Sequence, residues 1–237
     1  MKKKILISSI ISIFYMLNIN GQTKNCSINN KWIVYNTVNS ALTGWHSFID
    51  SYILDFTDPK NLRIKTLGEN EIVDVPYTFN ADNGLIYEDT GEILYGVLKV
   101  NSNKLSLKMG EKSTTTVSLI KLEDISTPLQ ITETLEFLKK DRWRKEFNSI
   151  RFTDEPYKVL NEIITNFKVF IESDEKSKKE YRGAWRLDTY GGVMLLELFS
   201  ERFNHKAIYQ IRIINDESLK AVSTSDKGEL LPLEFTR

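Results

Sequence analysis

Two histidines, His46 and His205, are the whole imidazole supply of the 237-residue chain. Imidazole is the usual general base of a hydrolytic triad and a common metal ligand. The two lie about 160 residues apart, which excludes a histidine-rich metal site and leaves only a mixed carboxylate one. No Gly-x-Ser-x-Gly elbow accompanies either histidine, and Asn204-His205-Lys206 reads as a turn. Carboxylate pairs such as Glu197 and Glu201 suit glycoside hydrolysis in type, but nothing in the sequence sets two of them face to face. Asp82-Asn83-Gly84 with Glu88 and Asp89 misses the spacing of an EF-hand loop and reads better as a hairpin turn. A glycine-rich phosphate cradle is missing as well. These residues point to a protein that is not an enzyme, with no catalytic residues, no metal and no cofactor. A hydrolase remains the enzymatic alternative.

The aromatic residues carry more promise. Trp45, Phe48 and Tyr52 are spaced by three and four, so a short helix over residues 41–52 would put them on one face. Trp45, Phe48 and Tyr52 are therefore the candidate ligand-binding residues, lining a hydrophobic mouth. The plainer alternative is a stripe packed into a core.

Acidic and basic residues balance at 32 each, so no basic field exists to attract nucleic acid or anionic lipid. Lys2, Lys3 and Lys4 precede an apolar run from Ile5 to Leu17, which ends at Asn18, Asn20 and Gly21. That is the layout of a secretory signal peptide, too short to span a bilayer. Cleavage is expected near Gly21, giving an exported protein, periplasmic or extracellular, with an uncleaved membrane anchor as the alternative. Thr23-Lys24-Asn25-Cys26 fits a lipoprotein box poorly, and no later stretch is long and apolar enough to cross a membrane. Cys26 is the only cysteine, so no disulfide forms within the chain. The abundance of Lys, Asn and Ile suggests an AT-rich bacterial genome.

The elements that must position these residues are mostly strands. Short runs with period two recur from Trp32-Ile33-Val34-Tyr35 to Val117–Leu122, then from Ala184–Leu187 to Leu231–Phe235. Asn83-Gly84 between apolar runs predicts a type I′ hairpin turn, and Gly191-Gly192 predicts another turn. Frequent turns between short strands point to antiparallel barrels or sandwiches. Thr127-Pro128-Leu129-Gln130 reads as an N-cap, a first-turn proline and a capping-box glutamine, opening a linker helix that carries Leu135 and Leu138. A second helix is plausible from Pro156 to Phe167, where Leu160, Ile163, Ile164 and Phe167 recur at helical spacing. The run Glu172–Glu180 reads as a solvated loop. The expected fold class is mainly β. It comprises a signal peptide (1–21), a first β-module (22–123), a linker helix (124–145) and a second β-module (146–237), with one or two short accessory helices.

Tyr95-Gly96-Val97-Leu98-Lys99-Val100-Asn101 and Tyr209-Gln210-Ile211-Arg212-Ile213-Ile214-Asn215 align without a gap at a separation of 114 residues. Val117 and Leu119 match Leu231 and Leu233 at the same separation. Trp32 and Trp143 open the two halves. The matched positions are apolar or turn-forming, so a duplicated fold explains them better than a duplicated active site.

Each half resembles the bacterial lipocalin-like modules. The first is carried by Trp32, Tyr95-Gly96-Val97, Leu105-Ser106-Leu107 and Val117-Ser118-Leu119. The second is carried by Trp143, Tyr209-Gln210-Ile211, Leu219 and Leu231-Pro232-Leu233. Asn30 and Asp141 stand where those modules carry a glycine two residues before the tryptophan. The resemblance implies that Trp32 and Trp143 are structural, closing the base of each barrel. It also implies a non-catalytic binding protein for a small apolar ligand. The alternative is a structural or protein-interaction module, with an envelope protein as its partner and no cavity.

Overall fold

Strands whose side chains alternate between apolar and polar bury one face only, and curling the sheet until its edges meet leaves no edge unpaired. In the computed structural model the chain does this twice. The described residues are 27–38, 51–123, 130–146, 148–159, 162–200, 205–224 and 230–237. The segment expected as an export signal (1–21), Cys26, Trp45, His46, Phe48 and Glu201 lie outside them.

The first barrel comprises β1 (Lys31–Val38), β2 (Tyr52–Asp55), β3 (Asn61–Thr66), β4 (Ile72–Asn80), β5 (Leu85–Glu88), β6 (Ile93–Val100), β7 (Lys104–Met109) and β8 (Thr116–Lys121). Its eight strands neighbour one another in sequence order, and β1 pairs antiparallel with β8 to close it. The second comprises β9 (Arg142–Lys145), β10 (Asn148–Val159), β11 (Glu162–Asp174), β12 (Lys179–Tyr190), β13 (Val193–Ser200), β14 (His205–Ile214), β15 (Ser218–Thr224) and β16 (Leu230–Thr236). It closes through Thr236 on β16 opposite Arg144 on β9. Between them in sequence, among the described residues, lies one helix, α1 (Ile131–Lys140). The chain divides into two compact units, with the main junction between Lys121 and Leu122.

Helix α1 starts later than the sequence reading placed it. Gln130 is its N-cap, and the Gln130 backbone N–H donates to the Glu133 carboxylate at 3.1 Å. Leu138 is fully buried in the second core and Leu135 packs against it, so the predicted apolar stripe exists. The second predicted helix does not: residues 148–159 and 162–174 are strands. Register shifts between Phe152 and Pro156 and between Pro156 and Lys158 break the period of two there. An extra residue at a bulge moves the apolar positions by one, which produces helical spacing in a strand. The region expected as a solvated loop is largely strand too, since β11 continues to Asp174 and β12 begins at Lys179.

Of the two predicted tight turns, Gly191-Gly192 is the two-residue kind, with both residues at positive φ and Tyr190 paired with Val193. Asn83-Gly84 is not. Only Gly84 has positive φ, and the turn spans four residues between the paired Asn80 and Leu85. The Asn80 side chain accepts from the backbone of Asp82 at 3.0 Å, which favours this longer turn over type I′.

The repeat is visible strand for strand. Trp32 on β1 and Trp143 on β9 are both fully buried. The indole N–H of Trp32 donates to the Ile28 carbonyl at 2.8 Å, and that of Trp143 donates to the Leu138 carbonyl at 3.0 Å. The β6–β7 pair is bulged between Val97 and Lys99, and the β14–β15 pair between Ile211 and Ile213, again 114 residues on. Both hairpins close alike: the Asn101 N–H donates to Lys104 O at 2.9 Å and the Asn215 N–H to Ser218 O at 3.0 Å. Matched bulges and matched asparagine turns make these two copies of one barrel plan.

Candidate functional cavity

Inward positions of the second barrel are large at one end and small at the other. Toward α1 the core is filled by Trp143, Trp185, Met194, Leu196, Ile211 and Leu219. Phe152 packs edge-on against Trp185 at 5.1 Å, and the Trp185 indole N–H donates to the Val169 carbonyl at 3.0 Å. Toward the other end three neighbouring strands carry Gly183, Ser200 and Ala207. Gly183 stands opposite Ser200, and Ala207 stands opposite Leu198. Small inward residues at adjacent positions leave volume that side chains do not fill.

Gly183 also lies opposite Phe170. A Cβ at Gly183 would stand 2.2 Å from Phe170 Cζ and 2.4 Å from the Phe199 carbonyl oxygen. The glycine therefore lets the Phe170 ring lie flat across β12, where it walls the open volume.

The result is a cavity of about 250 Å³. Its apolar wall is Ile150, Phe170, Leu198, Ala207, Leu233 and Phe235. Polar groups sit among them: Glu172, Ser200 and Tyr209 on the wall, with Lys145 and Asn148. Glu172 is buried, at 7% exposure. Ser200 Oγ is buried and makes no hydrogen bond among the described residues. Burial pushes the Tyr209 phenol above its ordinary value, because the phenolate loses hydration. Tyr209 thus stays protonated and able to donate. A cavity of about 150 Å³ lined by apolar side chains is enough to take up benzene, so this one suits a single-ring or short-chain molecule with a polar group.

The structure disperses the residues singled out from sequence. Tyr52 lies on β2, half-buried against the first core. Trp45 and Phe48 fall outside the described residues. His205 opens β14. Glu197 is fully buried on the face of β13 turned away from the barrel axis. It accepts from Arg186 Nε at 2.5 Å, and Lys206 stands 3.9 Å away. Arg186 in turn lies 4.4 Å over the Phe167 ring. That ion pair occupies Glu197 in a structural role. Glu88 accepts from the Thr90 hydroxyl at 2.9 Å, in a turn that Gly91 completes at φ 87°. Among the described residues, no three His, Cys, Asp or Glu side chains converge as a metal site, and no helix is long and apolar enough to cross a membrane.

Sequence reasoning did not find Gly183, Ser200, Ala207 or Glu172. One signal was present: the inward series Met194, Leu196, Leu198 ends on the hydroxyl of Ser200. No protein-family model matches this chain, and no curated protein matches it.

Proposed function

We propose that this protein is a non-catalytic binding protein, exported from the cytoplasm, that holds a small, mostly apolar ligand inside its second barrel. The observation that carries this reading is the cavity of about 250 Å³ behind Phe170, apolar on most of its wall and bearing an unpartnered hydroxyl at Ser200. Buried polar atoms in native proteins nearly always find partners. A ligand hydroxyl, amine or carbonyl at Ser200 Oγ supplies the missing one. The ligand contacts suggested by the sequence, Trp45 and Phe48, do not carry the proposal; the wall of the second barrel does. The export signal at residues 1–21 supports action outside the cytoplasm.

The test is a solvent extract of protein purified from its native envelope or medium, analysed by mass spectrometry, together with titration by an apolar fluorescent probe small enough for one ring. A bound small molecule, or saturable probe binding that Ala207→Phe abolishes, is expected. Absence of both counts against the reading.

A further inference from the structure

The reading above leaves the head group of the ligand open, and the cavity wall constrains it. Glu172 lies on β11 two residues beyond Phe170, on the same inward face, and it is a buried residue of the cavity wall. Ile150 stands opposite Glu172 across the β10–β11 pair, so apolar surface adjoins the carboxylate. Ser200 is also on the wall, and its Oγ has no partner among the described residues.

From this juxtaposition we infer that the ligand carries a hydrogen-bond-donating, cationic head, a primary amine on a small aromatic or aliphatic body, and that carboxylic acids of the same shape are refused. This rests on the second barrel being the binding site.

A carboxylate removed from water interacts strongly with whatever shares its surroundings. A second carboxylate beside it is repelled, and an ammonium is attracted. A carboxyl group has several acceptor sites, so Glu172 can serve a ligand in addition to its partners in the protein. An ammonium offers three donors, so it can donate to Glu172 and keep donors for a hydroxyl on the wall while the ring lies against Phe170 and Leu198. Lys145 is the cation that could favour an acid instead. It is exposed, so water and salt screen its charge more than they screen Glu172.

The test compares three phenyl compounds of similar length on the full-length mature protein by calorimetry: phenethylamine, phenylacetate and ethylbenzene. The expected result is amine binding at least about tenfold tighter than acid binding, a difference of about 1.4 kcal/mol. Ethylbenzene should fall between them. Glu172→Gln should bring amine and acid to within about twofold, and Ser200→Ala should weaken the amine more than ethylbenzene. Should Glu172→Gln not fold, the wild-type ranking and Ser200→Ala decide the matter alone. Acid binding as tight as amine binding overturns the head-group inference and leaves the cavity reading standing. So does a Glu172→Gln protein that loses all three ligands alike. If none of the three binds, both readings fall together.

Discussion

The guanidinium of Arg237 lies 4.4 Å over the ring of Trp143, stacked on the indole that anchors the second barrel to its helix. Arg237 Nη2 also donates to the Phe137 carbonyl in the last turn of α1, and Arg237 Nη1 reaches Asp216 Oδ1 at 3.2 Å. With the Trp143 N–H donating to Leu138, these contacts tie β9, β16 and the helix into one closed end.

That end should therefore be the most sensitive part of the second barrel. Trp143→Ala should cost about 3–5 kcal/mol, the usual loss for a buried large aromatic. Arg237→Lys should cost about 0.5–2 kcal/mol, because an ammonium cannot stack and bridge at once. Thermal unfolding followed by circular dichroism measures both. A Trp143→Ala protein within 1 kcal/mol of wild type, by the scale of about 2–4 °C per kcal/mol, contradicts this account.

Gly183→Ala should destabilise the second barrel by about 1–3 kcal/mol and impair ligand uptake as well. The new Cβ meets the Phe199 carbonyl, which is backbone and yields little, as well as the Phe170 ring. The ring is pushed toward the cavity. Urea denaturation and probe binding on the same sample measure the two effects; unchanged binding would show that Phe170 does not wall the site.

How much of this was legible in the sequence depends on the range of the interaction. Period-two alternation and the matched Tyr95 and Tyr209 segments are local patterns, and the strands and the repeat follow from them. The helix predicted at Pro156–Phe167 went wrong because a bulged strand and an amphipathic helix share spacing over one or two turns. The cavity was illegible for a different reason. Gly183, Ser200 and Ala207 lie on three strands, and only the register that sets Gly183 against Ser200 and Leu198 against Ala207 brings them to adjacent inward positions. Register is fixed by the whole barrel, not by any one strand. Glu172 looked like part of a charged surface run for the same reason.

Filling the cavity should separate binding from stability. Ala207→Phe adds a ring to an open volume, so its packing cost should stay below about 1 kcal/mol, less than the about 1–3 kcal/mol of overpacking a filled core. Probe binding should fall by at least about tenfold. Equal probe affinity in Ala207→Phe and wild type, measured by fluorescence titration, places the probe elsewhere.

Acid should loosen the helix end first. Hydrogen bonds from Lys139 and Lys168 hold the Asp154 carboxyl below its ordinary 3.8, and a hydrogen bond from Lys140 does the same for Asp216, with Arg237 adding to it. A carboxylate whose pKa is lower folded than unfolded contributes stability above its unfolded value and loses it as pH falls through the folded one. These ion pairs are exposed, so the effect is modest. The urea midpoint should be flat down to about pH 5 and decline below about pH 4, and Asp154→Asn should shallow that decline. An Asp154→Asn profile superimposable on wild type would remove these contacts from the account.

The proposed ligand site lies inside the second barrel. Methyl-labelled protein titrated with phenethylamine and observed by nuclear magnetic resonance tests it most directly. The predicted result is saturable shifts of Ile150, Leu198 and Leu233 methyls, which line the cavity, with Leu54, Leu62 and Leu119 of the first core unmoved. Shifts confined to the first core, or no saturable shift anywhere, would contradict it.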